Sequence, residues 1–281
     1  MKRIMTIQDI SCIGKCSLTV ALPIISAFGI ETAIVPTAIL STHTQFKGMT
    51  FRDLTDDLEP IKEHWKKEDF HFQAIYTGYL GSERQIEIVR DYIKDFKESG
   101  TKVIIDPVMA DNGKLYSGFD ENFPNKMAYL CSLADVILPN LSEAALLLGV
   151  KYPGENASPS ETKKLLRGLA KLGAGIVVIT GVTLSDGTFG FMGLDTDTDQ
   201  YFEYGQPQIP YRSHGTGDIF ASTFTGALTR GGSTYDALKL AADYVRACIK
   251  NTYEDPDHVN YAVNFEAELP WLIQEIHKTK N

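Results

Sequence analysis

Short apolar runs alternate with longer amphipathic stretches along nearly the whole of this chain, and that alternation constrains the fold more than any other feature. Strands separated by helix-length segments are joined by crossovers rather than hairpins, which builds a mainly parallel sheet with helices on both faces. The candidate strands are residues 3–8, 32–37, 74–77, 102–105, 136–138 and 176–180, and the candidate helices are 18–28, 54–66, 83–98, 142–148, 160–172, 217–229, 234–253 and 265–278. Residues 189–193 and 200–204, which flank the polar run Asp195-Thr196-Asp197-Thr198-Asp199, read as an antiparallel hairpin added to that sheet. No internal repeat, low-complexity tract or long linker interrupts the pattern, so the expectation is an α/β fold in one domain over residues 1–281.

Composition excludes several functions. With 43% hydrophobic and 22% charged residues the chain can bury a substantial core. A net charge of −9 works against a nucleic-acid partner, although a loop of backbone N–H groups or a metal can still hold a small anion. Cys12, Cys16, Cys131 and Cys248 have neither framework nor zinc-site spacing and read as reduced thiols of a cytoplasmic protein. The N-terminal apolar stretch is cut short by Gln8 and Asp9, so it reads as a first strand rather than a signal peptide. No apolar run approaches the roughly 18 residues of a membrane span, so no membrane partner is expected. His64, His71, His258 and His277 are scattered, and Trp65 and Trp271 fall on amphipathic helices where packing is the expected role.

In open parallel sheets, ligands gather beyond the carboxyl ends of the strands. The residues there are polar: Asp9, then Ser41-Thr42-His43-Thr44, then Gly78-Tyr79, Asp106-Pro107, Pro139-Asn140 with Glu143, and Gly181 after Thr180. Each has a plain structural account as turn former, cap or first-turn acid. Together with Asp218 they place Asp106, Asn140 and Glu143 on one rim, an oxygen set suited to Mg²⁺ beside phosphates. The turn Gly215-Thr216-Gly217-Asp218 opens an apolar helix, where glycines and unpaired first-turn N–H groups suit a phosphate. Asp218 is then either a helix cap or a general base for an attacking hydroxyl.

The ordered set Asp106-Pro107-Val108-Met109-Ala110-Asp111, Leu138-Pro139-Asn140-Leu141-Ser142-Glu143-Ala144, Val178-Ile179-Thr180-Gly181 and Gly215-Thr216-Gly217-Asp218 resembles the motifs of the vitamin-kinase branch of the ribokinase superfamily. Within that branch Ser41-Thr42-His43-Thr44 and Thr77-Gly78-Tyr79 are similar to the ring-binding segments of pyridoxal (pyridoxine, pyridoxamine) kinases. Two positions depart from that pattern: Asp9 stands where Ser is usual, and Gln45 where Gly commonly follows His-Thr. Hydroxymethylpyrimidine kinases of thiamine synthesis are the competing resemblance. Their first loop is typically a Gly-Gly-Ala-Gly run, whereas Ser11-Cys12-Ile13-Gly14-Lys15-Cys16-Ser17 offers a single glycine.

The resemblance implies a ribokinase-like fold and ATP-dependent phosphorylation of a hydroxymethyl group. Asp218 would be the base, and the N–H groups of Gly215, Thr216 and Gly217 would hold the phosphate. Glu143 and Asp106 would act on Mg²⁺, with Asn140 orienting its water shell. Asp9, His43, Thr44 and Tyr79 would contact a pyridoxal-type substrate. Thr180 and Gly181 would lie on the nucleotide side, and K⁺ is a further expected ion with Thr180 and Asp106 as its candidate ligands. Residues 110–118 are expected to form a lid, and a homodimer is the expected assembly.

Overall fold

In the computed structural model, which describes residues 1–211 and 213–278, the alternation closes into an α/β architecture. The chain runs through β1 (Arg3–Ser11), α1 (Leu18–Ala27), β2 (Glu31–Leu40), β3 (Phe51–Asp53), α2 (Thr55–Lys67), β4 (Ala74–Thr77) and α3 (Glu83–Phe96). It continues with β5 (Lys102–Ile105), β6 (Ala110–Asp111), β7 (Lys114–Leu115), α4 (Phe123–Cys131), β8 (Val136–Ile137), α5 (Leu141–Leu147) and α6 (Pro159–Ala170). The last part comprises β9 (Ile176–Thr183), β10 (Phe189–Asp195), β11 (Gln200–Gln206), α7 (Thr216–Arg230), α8 (Thr234–Glu254) and α9 (Phe265–Lys278).

Among the described residues nine strands form one sheet in the order β11-β10-β9-β8-β5-β4-β1-β2-β3. The six strands from β9 to β2 are mutually parallel, and the antiparallel hairpin expected near residues 189–204 extends the sheet as β10 and β11. Side-chain alternation feeds two apolar layers. Met5, Ile7, Ile75, Val103 and Ile105 pack against α2 to α6, whereas Ile4, Ala74, Tyr76 and Ile104 pack against α1, α7, α8 and α9. Both tryptophans pack as expected: Trp65 lies 5.6 Å from Phe72 and Trp271 stacks 6.1 Å from Tyr244. Among the described residues no helix is long and apolar enough to cross a membrane.

The structure corrects the sequence reading at several places. Helix α4 was not expected, yet Pro124 sits in its first turn, where proline is preorganised, and Phe123, Met127 and Leu130 are buried on one face. Strand β3 is a wholly exposed three-residue edge piece with no alternation to reveal it. Asp9 does not follow the first strand; β1 continues to Ser11 through a register shift against β2 between Gln8 and Ile10. Gly181 likewise lies inside β9 rather than after it. Thr180 pairs with Phe191 and Val182 with Gly190, leaving Gly181 as an extra residue at φ 69°, a left-handed value that glycine adopts without strain.

Candidate active site

The carboxyl ends of β5 and β8, the bulge of β9 and the start of α7 converge on one rim, and local chemistry fixes each side chain there. Asn140 caps α5: its side chain accepts the Glu143 N–H at 2.9 Å, while Glu143 Oε2 accepts the Asn140 N–H at 2.9 Å. The other Glu143 oxygen accepts the Met109 N–H at 3.2 Å. Glu143 thus ties the segment after β5 to the start of α5. The Thr180 N–H donates to the Pro139 carbonyl at 3.0 Å, which sets Thr180 beside Asn140.

The expected lid contains a small antiparallel hairpin, β6–β7, turned by Asn112 and Gly113 at φ 52° and 74°. It is anchored rather than loose. Asn140 Nδ2 donates to the Ala110 carbonyl at 3.0 Å, the Gly113 N–H donates to Ser142 Oγ at 2.8 Å, and a Cβ at Gly113 would strike the Tyr152 ring.

Four acids lie around this rim without an ion pair among the described residues. Burial pushes the Asp106 carboxyl well above the usual range, and the charges of Glu143 and Asp218 push it further. Burial raises Glu143 to about 8 against the lowering effect of N–H donors from Asn140, Met109 and Ala110. Asp218, half-buried at the mouth of the rim, is raised to about 7 by its partial removal from water, opposed by the Ser17 N–H and reinforced by the charge of Asp9. Asp9 is itself raised by burial despite the hydroxyls of Ser17 and Ser11, the latter 3.1 Å away. Acids gathered in this way suit a bound cation. Among the described residues no three His, Cys, Asp or Glu side chains form a metal cage. A Mg²⁺ ion held here would take one or two of these carboxylates, with water and substrate phosphates completing its shell.

Asp218 is not the cap of α7. Gly215 occupies that position at φ 80°, and Asp218 stands in the first turn behind Thr216 and Gly217. A Cβ at Gly215 would collide with the Lys15 carbonyl oxygen, so the loop between β1 and α1 lies directly under the turn. That loop is itself contorted, with Gly14, Lys15 and Ser17 all at positive φ. Lys15, a candidate anion contact by its loop position, instead bonds Glu266 Oε2 at 2.9 Å and Asn264 Oδ1 at 3.3 Å.

At the expected ring-binding end, His43 is buried and both of its nitrogens are engaged. Nδ1 accepts the Gln45 N–H at 3.2 Å, so the proton resides on Nε2, which donates to the Tyr261 carbonyl at 3.2 Å. Burial, then the neighbouring His214, lowers its pKa. His43 stacks 5.5 Å from His214, the residue before Gly215, and its ring excludes any Cβ at Gly14. Its place is therefore a joint between three loops, with no free nitrogen to offer a ligand. Thr44 is exposed. Tyr79 is partly buried, with its ring 5.6 Å from Phe119 and its hydroxyl pushed up to about 12 by burial and then by Asp9. Sequence reasoning missed Ser17, His214, Phe119 and Tyr261, whose proximity arises from contacts between distant segments.

Residues 22–264 match the family described as phosphomethylpyrimidine kinase. A hydroxymethylpyrimidine/phosphomethylpyrimidine kinase of Bacillus subtilis is 28% identical over 231 residues, covering 81% of this chain and 80% of its own. Among solved structures, a protein described as a candidate phosphomethylpyrimidine kinase from Bacteroides thetaiotaomicron, in a crystal form with pyridoxal, is 39% identical with a TM-score of 0.90, covering 96% of this chain and 95% of that one. Pyridoxal kinase from Lactobacillus plantarum is 31% identical with a TM-score of 0.89 over 99% of both chains.

Proposed function

The chain belongs to the phosphomethylpyrimidine kinase family, and from that premise we propose that it transfers the γ-phosphoryl group of ATP to the hydroxymethyl group of pyridoxal, pyridoxine or pyridoxamine. The observation that carries this reading is the position of Asp218. Its carboxylate stands in the first turn of α7 beside the Gly215 turn, and its pKa of about 7 lets it take a proton near neutral pH. An alcohol is a poor nucleophile, so a base at the phosphate cradle supplies what the reaction lacks.

In this reading the N–H groups of Gly215, Thr216 and Gly217 face phosphate oxygens at the positive end of α7. Asp106 and Glu143 would hold Mg²⁺ through its water shell, with Asn140 fixed by its cap to orient that shell. Bound there, Mg²⁺ would supply charge neutralisation at the phosphates. Thr180 and Gly181 border the nucleotide, and Thr180 with Asp106 would hold K⁺. Asp9, Thr44 and Tyr79 line the ring end, with His43 acting through the loops it joins. A homodimer remains the proposed assembly, to be read by sedimentation.

A second reading, hydroxymethylpyrimidine kinase, is favoured by the family description and by the Bacillus subtilis relative. Against it stand the single glycine in residues 11–17 and the pyridoxal in the related Bacteroides thetaiotaomicron structure. Side-by-side kinetics of the three pyridoxal-type substrates and hydroxymethylpyrimidine with Mg-ATP test the choice, and the pyridoxal group should give the higher kcat/KM. A pyrimidine preference of about tenfold or more, about 1.4 kcal/mol in the transition state, transfers the assignment to the second reading.

A further inference from the structure

A buried polar strip underlies Asp218, on the sheet face that α7 covers. In register, Thr6 of β1 pairs with Tyr76 of β4, and Tyr76 pairs with Ile104 of β5. Gln8 and Asp106 lie two residues beyond Thr6 and Ile104, so alternation points all four polar side chains to the same face. Tyr76 packs in the apolar layer containing Ile219, Phe220 and Phe224 of α7. On that helix Ser222 follows Asp218 by four residues, which puts the two on one side.

Tyr76, Gln8 and Ser222 are fully buried, and the Ser222 and Gln8 side chains face the Tyr76 hydroxyl, yet Tyr76 Oη, Gln8 Oε1 and Ser222 Oγ make no hydrogen bond of good geometry among the described atoms. The Gln8 amide is oriented by its Nε2, which donates to Thr6 Oγ1 at 2.5 Å. Its Oε1 closes over Gly78, where a Cβ would come within 2.7 Å. Phenylalanine at 76 and alanine at 222 would pack there without polar atoms, so apolar packing alone does not account for the two hydroxyls. The charged groups facing Tyr76 are Asp106 and Asp218, both acceptors.

We propose that Tyr76 and Ser222 are positioning residues for Asp218: with Gln8 they form a buried polar floor beneath its carboxylate, on the one sheet face that α7 covers. The strip holds the Asp218 carboxylate in the orientation that accepts the substrate's proton. This inference rests on the kinase reading above.

Tyr76→Phe and Ser222→Ala test it, each alone and combined with Asp218→Asn. Each single variant should lower kcat by about tenfold while KM for ATP and acceptor stays within about twofold, the split expected when an interaction serves the transition state alone. The thermal midpoint should fall by no more than a few degrees, so that the loss of kcat is not a loss of fold. In the Asp218→Asn background the same changes should leave the residual rate unaltered, because their effect passes through the carboxylate. Unchanged kcat in both single variants overturns the inference, as does an equal fractional loss in the Asp218→Asn background. Should Tyr76→Phe fail to fold, Ser222→Ala carries the same comparison. Wild-type protein that phosphorylates none of the four acceptors overturns the kinase reading and this inference together, whereas an active wild type insensitive to both substitutions overturns this inference alone.

Discussion

Replacing Glu143 by glutamine keeps the side chain's size, yet the structure gives the exchange a definite cost. Both carboxylate oxygens accept backbone N–H groups, one from Met109 and one from Asn140. An amide has a single acceptor oxygen, so one of these buried donors loses its partner and faces an NH₂ group. An orphaned buried donor costs about 1–3 kcal/mol. For a chain of 281 residues the unfolding entropy is about 0.6 kcal/mol per kelvin, which converts that cost to a midpoint lowered by about 2–5 °C. The sign of its pH dependence follows from the raised pKa of about 8. A carboxyl whose folded pKa lies above its unfolded value contributes stability that is present at low pH and lost as pH rises through the folded value. That contribution is full below about pH 4.5, so over pH 6–9 the advantage of wild type over Glu143→Gln should be largest at pH 6 and narrow towards pH 9. Thermal melts of metal-free protein across that range measure it. A variant as stable as wild type at pH 6 refutes the bonding argument. Turnover against Mg²⁺ concentration tests the other half: the apparent requirement should rise, and an unchanged titration leaves Glu143 as a tie between two segments only.

Two further changes probe the loops around the rim. Gly215→Ala places a Cβ against the Lys15 carbonyl at a backbone φ of 80°, so the turn must open; ATP affinity should fall at least about tenfold, equivalent to about 1.4 kcal/mol, and calorimetry showing wild-type affinity would contradict the cradle. Asp9→Ser removes a buried carboxyl at the ring end and should shift kcat/KM among the four acceptors by about tenfold or more, whereas parallel changes for all four would remove Asp9 from substrate selection.

The architecture was legible because its signal is periodic. Central strands β4 and β5 match the expected residues 74–77 and 102–105, being short apolar runs buried on both faces. What escaped had no periodicity to show: β3 is three exposed residues, and the Gly181 bulge depends on how β9 meets β10. The site divides in the same way. Asn140 and Glu143 are three residues apart, so their capping box could be anticipated from spacing alone. His43 could be placed near the site from its loop, but the loss of both ring nitrogens to Gln45 and Tyr261 depends on a segment 218 residues away. Asp218 is a common cap by residue type; the structure instead starts α7 at Thr216 with Gly215 as its cap, where the Lys15 carbonyl leaves no room for a side chain.

The central claim is that Asp218 is the base, and kinetics of Asp218→Asn with Mg-ATP and pyridoxal test it most directly. Asparagine preserves shape, and α7 keeps its start because Gly215 is the cap, so folding and ATP affinity should remain close to wild type. Proton acceptance is lost, and kcat should fall by about 10²–10⁴-fold. A folded, ATP-binding variant that still turns over near the wild-type rate would contradict the account.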